Sequence, residues 1–205
     1  MPSAIISDLF LIPVALYTAD VFSAIVHIVL DNGDCGVLTP FLEDKSIEEV
    51  SFVRERFPLI YNQSTGFQKT CFEFQKHHQY PSVILNKTFS EVSISIASIT
   101  WSLHALLLLF YMKGIMNSSL FFFGTLTTCI GTLCQIAHQW AHTTESHGII
   151  KWFQTHGILI SPESHRVHHR SYDRNFAIVN GWSHSLVNGL IHPFIERGWI
   201  SGNTK

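Results

Sequence analysis

Thirteen of the chain's residues are histidine, as many as its lysines and arginines together. Several stand at spacings that suit metal ligation. His138 and His142 are four apart, which puts both on one face of a helix. His165, His168 and His169 follow an i, i+3, i+4 pattern and also share a face. His27 and Asp31 are again four apart, and Asp20 lies two turns before His27 on the same stripe. The adjacent His77 and His78 would point about 100° apart on a helix, so such a pair can feed two different ions. HxxxD, HH, HxxxH and HxxHH together offer eight imidazoles and a carboxylate.

The donor types narrow the metal. A zinc site takes four protein ligands, or three and a water, so eight imidazoles exceed one zinc. No HExxH is present, which leaves a zinc peptidase unsupported. The cysteines at 35, 71, 129 and 134 include no CxxC pair and read as small apolar fillers. Imidazole suits iron, copper and zinc. Two irons at four or five ligands each would use all eight imidazoles, with Asp31 or water completing the set. A pair of b-type haems would instead place single histidines within opposed helices. His104 sits alone in an apolar run and reads as an interhelical hydrogen-bonding group. His147, His156, His184 and His192 carry no motif.

The elements that must position these residues are apolar helices. The chain has 205 residues, 46% apolar and only 14% charged, against about 25% charged in an ordinary soluble domain. Ala4 to Leu30, Val92 to Met112 and Ser118 to Ala137 each approach the ~20 apolar residues that cross a bilayer. Closed helices satisfy the backbone in lipid, so three spanning helices are expected. A shorter segment, Gly148 to Ile160, would be a fourth buried or interfacial helix. The first run lacks a basic leader region and holds Asp20 and His27, so it reads as a retained span. The expected fold is therefore an all-α, polytopic membrane bundle in one domain over 1–205. Residues 43–66 form an inserted loop, with a short helix around Ser46–Phe57.

Three crossings put Asp31–Glu91 and Thr143–Lys205 on one side. Twelve of the thirteen lysines and arginines fall there, and Lys113 alone falls opposite. By the positive-inside rule that side is cytosolic. All eight motif histidines map to it. A net charge of −2 gives no pull toward nucleic acid.

At these residues the chain resembles a family of membrane lipid desaturases. It includes plasmanylethanolamine desaturase, the Kua- and CarF-like proteins, and the plant plastid desaturase acting on palmitate in phosphatidylglycerol. The matching blocks are Ala19-Asp20 with His27 and Asp31, and Phe74-Gln-Lys-His-His-Gln-Tyr-Pro81. They continue with Gln135-Ile-Ala-His-Gln-Trp-Ala-His142, Phe153-Gln154, Gly157–Ser161, His165-Arg-Val-His-His169, Tyr172 and Ile178-Val-Asn-Gly-Trp182. The order is collinear over most of the chain. Ile28 stands where the family usually has Trp, and His184 where it has Asn.

The resemblance implies a di-iron (Fe2+) enzyme that uses O2 and two electrons to remove two hydrogens from an acyl or alkyl chain. The substrate implied is an intact glycerophospholipid. The metal ligands would be His27, Asp31, His77, His78, His138, His142, His165, His168 and His169. Asp20, Gln75 and Gln135 could orient ligand imidazoles as hydrogen-bond acceptors. Arg166, Arg170 and Arg174 could hold a lipid phosphate. No flavin or nicotinamide fingerprint occurs, so electrons would come from a partner such as cytochrome b5 or a ferredoxin. In a eukaryote the implied location is the endoplasmic reticulum. A lipid hydroxylase with the same oxidant is the sister reading. A histidine-rich metal transporter is an alternative from another class, but its ligands should line the midplane, where only His104 falls.

Overall fold

A computed structural model describes residues 9–42, 58–143 and 146–200, the side chains of Pro58 and Ser95 excepted. Among the described residues every regular element is helical. Helix α1 is Leu11–Asn32, followed by a 3-10 turn at Gly36–Phe41. Then come α2 (Pro58–Gln63), α3 (Gly66–Gln79) and the single turn α4 (Ser82–Leu85). The two long helices α5 (Phe89–Met112) and α6 (Ser118–His142) follow. Three shorter ones, α7 (Gly148–Thr155), α8 (Pro162–Ser171) and α9 (His184–Glu196), complete the fold.

Local sequence fixes where these helices begin. Thr65 and Gln68 form a reciprocal capping box at the start of α3, and Thr88 and Glu91 form another at α5. Asn117 caps α6 by accepting from the Leu120 amide at 2.9 Å. Ser161 caps α8, with Pro162 in its first turn. Helix α8 ends where Tyr172 turns left-handed at φ 59°, a conformation that few bulky residues adopt.

The core is α1 and α6 running parallel, with α5 antiparallel to α6. Ala19 and Leu16 of α1 pack with Cys134 and Ile130 of α6. Thr100 of α5 shares a 2.8 Å hydrogen bond with Thr132 of α6. Gly124 lets Leu107 close against the α6 backbone, since a Cβ there would sit 2.7 Å from a Leu107 methyl. Helix α3 crosses the end of α1. Gly33 permits this approach, because a Cβ at that position would collide with the Cys71 sulfur.

Two helices, Leu11–Asn32 and Ser118–His142, are long and apolar enough to cross a membrane. At 1.5 Å per residue they span about 33 and 37 Å, against a hydrocarbon core of about 30 Å. Of the three spans expected, the second, Val92 to Met112, coincides with α5, whose apolar stretch is shorter, Ile96–Met112. That helix leaves Trp101 and Met112 more than two-thirds exposed. The expected fourth segment is only 8 residues of helix, about 12 Å, and is too short to span. Of the 43–66 insertion, 58–63 is helical. Its expected helix at Ser46–Phe57 lies outside the described residues.

One loop is structurally costly. Phe176, Ala177, Ile178 and Val179 are all at most 3% exposed, yet they lie in no helix. Buried backbone needs partners, and Asp20 supplies those of the stretch from Val179 to Ser183. Its Oδ1 accepts from the amides of Val179 (3.1 Å), Asn180 (2.9 Å) and Gly181 (3.1 Å). Its Oδ2 accepts from the Ser183 amide (2.9 Å) and hydroxyl (2.7 Å). Ser23 accepts from the Ile178 amide at 3.1 Å. One carboxylate on a bundle helix thus threads an irregular loop through the core.

Candidate metal centre

Nine side chains from four helices meet at one end of the bundle. They form two groups, in each of which the candidate ligand atoms all lie within 4.8 Å of one another. The first is His77, His138, His142, His165 and His169; the second is His27, Asp31, His78 and His168. The adjacent pair His77–His78 divides between the groups, as its helical geometry requires. The HxxHH cluster divides too: His165 and His169, one turn apart, serve the first group and His168 the second. The groups touch, with the His78 and His169 rings stacked at 4.4 Å. Eight of the nine sit toward the C-terminal ends of α1, α3, α6 and α8, and His165 lies in the first half of α8. A helix C-terminus carries partial negative charge, so four such ends favour a bound cation.

The hydrogen-bond pattern fixes several tautomers. His27 Nδ1 donates to the Phe176 carbonyl at 2.8 Å. His168 Nδ1 donates to the Arg174 carbonyl at 2.8 Å. His77 Nδ1 donates to the Phe74 carbonyl, and His138 Nδ1 bonds the Gln135 side-chain oxygen at 3.2 Å. In each case the proton sits on Nδ1, which leaves Nε2 as a bare lone pair. Those lone pairs point at one another. In the second group the Nε2 atoms of His27 and His168 face Asp31 Oδ2 at 3.3 and 3.1 Å. His78 Nε2 lies 3.0 Å from Oδ1. Nitrogen lone pairs facing a carboxylate at such distances repel unless a cation lies between them.

The first group makes the same demand. Neighbouring Nε2 atoms approach at 3.3 Å (His138–His142), 3.0 Å (His142–His165) and 3.0 Å (His165–His169). A metal–imidazole bond of about 2.0–2.1 Å gives ligand-to-ligand edges of roughly 2.9–3.4 Å in octahedral or tetrahedral geometry. The spacing matches. The Nε2 atoms of His27 and His77 are buried with no hydrogen-bond partner, a state proteins rarely tolerate without a ligand. The donor set therefore fits two cations of the kind that imidazole prefers.

The imidazoles are also in the right protonation state. Burial and neighbouring histidines hold His77, His165 and His169 well below the ordinary imidazole value of 6.5. They are neutral at pH 7, as ligands must be. The sign for stability follows. With a folded pKa depressed below the unfolded 6.5, each group stabilises the fold above that pH. That stability is lost as pH falls from 6.5 toward the folded value, at up to about 1.4 kcal/mol per pH unit per group. Metal-stripped protein should therefore melt at progressively lower temperature from pH 7 to pH 5, and loaded protein should resist until the metal is released. A melting temperature of the stripped protein that stays flat over this range would contradict neutral buried imidazoles.

The orienting residues expected from sequence divide. Gln135 bonds His138 as anticipated. Gln75 does not bond an imidazole: its amide donates to the Leu30 and Gly33 carbonyls at 3.1 and 2.7 Å, tying α3 to the end of α1. Asp20 likewise reaches no imidazole. It acts one step removed, because the loop it holds presents the Phe176 carbonyl to His27. Arg166 pairs with Glu163 and Arg174 with Asp173, both on exposed surface, while α8 carries Arg170 close by. His104 bonds Thr128 at 3.3 Å, far from the cluster. One such hydrogen bond is worth about 0.5–1.5 kcal/mol, so His104→Ala should leave the metal content of the cluster unchanged.

Some participants had no sequence signal. The carbonyls of Phe176 and Arg174 are backbone groups, and any residue type supplies them. Tyr172 and Phe74 lie in the matching blocks but carry no ligand signature: Tyr172 lies tilted against His78 at 4.8 Å, and Phe74 sits edge-on to His27 at 5.3 Å. His184 donates to the Ala177 carbonyl at 3.2 Å and so braces the same buried loop.

Two helices long and apolar enough to cross a membrane, with nine convergent nitrogen and oxygen donors at one end, define the class: a helical bundle, among the described residues, with a donor set suited to metal. A model of the lipid desaturase domain matches residues 64–193, more than half of the chain, and the chain belongs to that family. The matched stretch takes in His77 through His169, whereas His27 and Asp31 precede it. A chloroplastic protein of Arabidopsis thaliana described as fatty acid desaturase 4-like 2 is 30% identical over 126 residues. That alignment covers 60% of this chain and 44% of the relative, so the chain spans less than half of the plant protein. No solved structure matches.

Proposed function

We propose that the chain is an iron-dependent, O2-using desaturase that introduces a double bond into an acyl or alkyl chain of a glycerophospholipid. The observation that supports this most directly is the pair of adjacent donor groups, eight imidazoles and one carboxylate, at one end of an apolar bundle. An unactivated C–H bond yields to neither acid–base nor nucleophilic chemistry, so the oxidising power must come from a metal and O2. The overall change balances as –CH2–CH2– plus O2, two electrons and two protons giving –CH=CH– plus two waters. The electrons come from an external one-electron donor such as cytochrome b5 or a ferredoxin.

The chain's own residues have definable parts in this reading. The eight imidazoles and Asp31 would hold two irons. Phe176, Arg174, Phe74 and Gln135 keep the Nδ1 protons of four imidazoles in place, so that Nε2 faces inward. Phe74 and Phe176 line the second group with apolar surface and exclude water. Asp31 brings the only carboxylate to the site among the described residues, which would leave a bound pair of cations largely uncompensated and electrophilic.

In the same proposal α1, α5 and α6 all cross the bilayer. The histidine end then faces the cytosol, supported by the twelve lysines and arginines on that side. A chain lying between the helices reaches the site while its headgroup stays in the interface. Arg166, Arg170 and Arg174 are the candidates to contact a phosphate there. The test is mass spectrometry of lipids from cells with and without the chain, after feeding a labelled saturated phospholipid. O2-dependent loss of two hydrogens supports desaturation. Gain of one oxygen would make the chain a hydroxylase, and no lipid change would refute the proposal.

A further inference from the structure

The imidazoles of the two groups are oriented in different ways. In the first group the orienting partners lie on the ligands' own helices. His77 donates to the Phe74 carbonyl of α3, and His138 bonds the Gln135 side chain of α6 at 3.2 Å. Each partner is three residues back, so the helix itself keeps it in place. In the second group the partners lie elsewhere. His168 and His27 donate to the Arg174 and Phe176 carbonyls, each at 2.8 Å. Both carbonyls belong to the irregular loop after α8, and one residue, Asn175, separates them.

Asn175 is left-handed, at φ 58°, a conformation that asparagine adopts more readily than most residues. It is pinned from α9. Asn188 Oδ1 accepts from the Asn175 amide at 2.9 Å, and Asn188 Nδ2 donates to Asn175 Oδ1 at 3.0 Å. Val187 and Ile191 seat α9 for this by packing with Ala24 of α1 and Phe176 of the loop. The other anchors of the loop act further along: His184 on Ala177, Ser23 on Ile178 and Asp20 from Val179 onward. Besides Asn188, Asn175 has a long contact of 3.5 Å from its Nδ2 to the Ser164 carbonyl.

The amide that Asn188 accepts from and the carbonyl that His168 donates to are the two ends of one peptide group, 174–175. A peptide bonded at both ends is polarised, and each hydrogen bond strengthens the other. Asn188 therefore acts on His168 through a single peptide.

We propose that Asn188 is a positioning residue for the Asp31 group: it fixes the two loop carbonyls that orient His168 and His27, and so sets how tightly that group holds its cation. A fixed Nδ1–H donor turns Nε2 toward the metal and makes it a more basic ligand. The five-imidazole group takes nothing from this loop. The proposal rests on the reading of the nine side chains as metal ligands.

The experiment is a Co2+ titration of the metal-stripped full chain in detergent, followed by the cobalt absorption bands, in two backgrounds. His169→Ala leaves the Asp31 group as the binding site, and Asp31→Ala leaves the five-imidazole group. Asn188→Leu is close in size and makes neither hydrogen bond. In the His169→Ala background it should weaken Co2+ binding at least tenfold, the scale on which loss of a ligand's orienting partner acts. In the Asp31→Ala background affinity should stay within about twofold, which also shows that the variant is folded. Asn188→Asp keeps an acceptor for the Asn175 amide and should restore affinity to within about threefold of Asn188. Weakening that is equal in both backgrounds, absent from both, or not restored by Asn188→Asp would overturn the assignment. An unsubstituted chain that binds no Co2+ would overturn the metal reading on which it rests.

Discussion

His169→Ala should empty the five-imidazole group and reduce desaturation to below about 1% of the parent, while the group containing Asp31 stays loaded. Orienting residues beside a metal ligand already cost 10- to 100-fold when removed, so loss of the ligand itself costs at least the upper figure. The geometry makes the separation testable. His169 Nε2 lies 3.0 Å from His165 Nε2 and belongs to the first group alone. Asp31→Ala should do the converse. It removes the one carboxylate facing His27, His78 and His168, and the second group should lose its cation while the first keeps its own. Metal content of each purified variant reads this directly. Equal loss of both metals from either variant would mean that the two groups act as one site. Full retention with loss of activity would mean that these side chains are not ligands.

Asp20→Ala should unfold the buried loop without touching any imidazole. It leaves four amides and a hydroxyl without an acceptor inside the core. Breaking a buried charged network of this kind costs about 3–5 kcal/mol. For a chain of this length that lowers the melting temperature on the order of 10 °C. Metal retention should fall as well, because the Phe176 carbonyl then no longer holds His27. Asp20→Asn keeps one oxygen acceptor and should fall between. A shift under about 2 °C for Asp20→Ala would show that other contacts hold the loop.

The convergence of the nine donors was legible because grouped donors leave local marks: i, i+3 and i+4 spacings and an adjacent pair pointing two ways. The apolar runs of α1 and α6 were legible for the same reason, since a bilayer imposes a length. What sequence could not show is contact between distant segments. Asp20 shares a helical stripe with His27, which suggested a direct bond. The residues that decide its role are Val179 to Ser183, about 160 positions away, and they recruit it through backbone amides. Gln75 was expected to orient a ligand imidazole, but the fold turns it onto the end of α1. Helix α9 was missed. Its Val187 and Ile191 pack on Ala24 and Phe176, while Leu186, Leu190 and Phe194 are exposed. That i, i+4, i+8 repetition was present in sequence but lay in a tail read as polar. The short α7 also has a local cause: Gly157, at φ 67°, stops the helix before the apolar run ends.

The most direct test of the central claim is the metal content of the purified full-length chain, prepared in detergent from iron-replete cells. The account predicts roughly two irons per chain. It also predicts that His169→Ala and Asp31→Ala each retain roughly one, and that the double variant retains none. A single zinc per chain with no iron, unchanged in both variants, would contradict it.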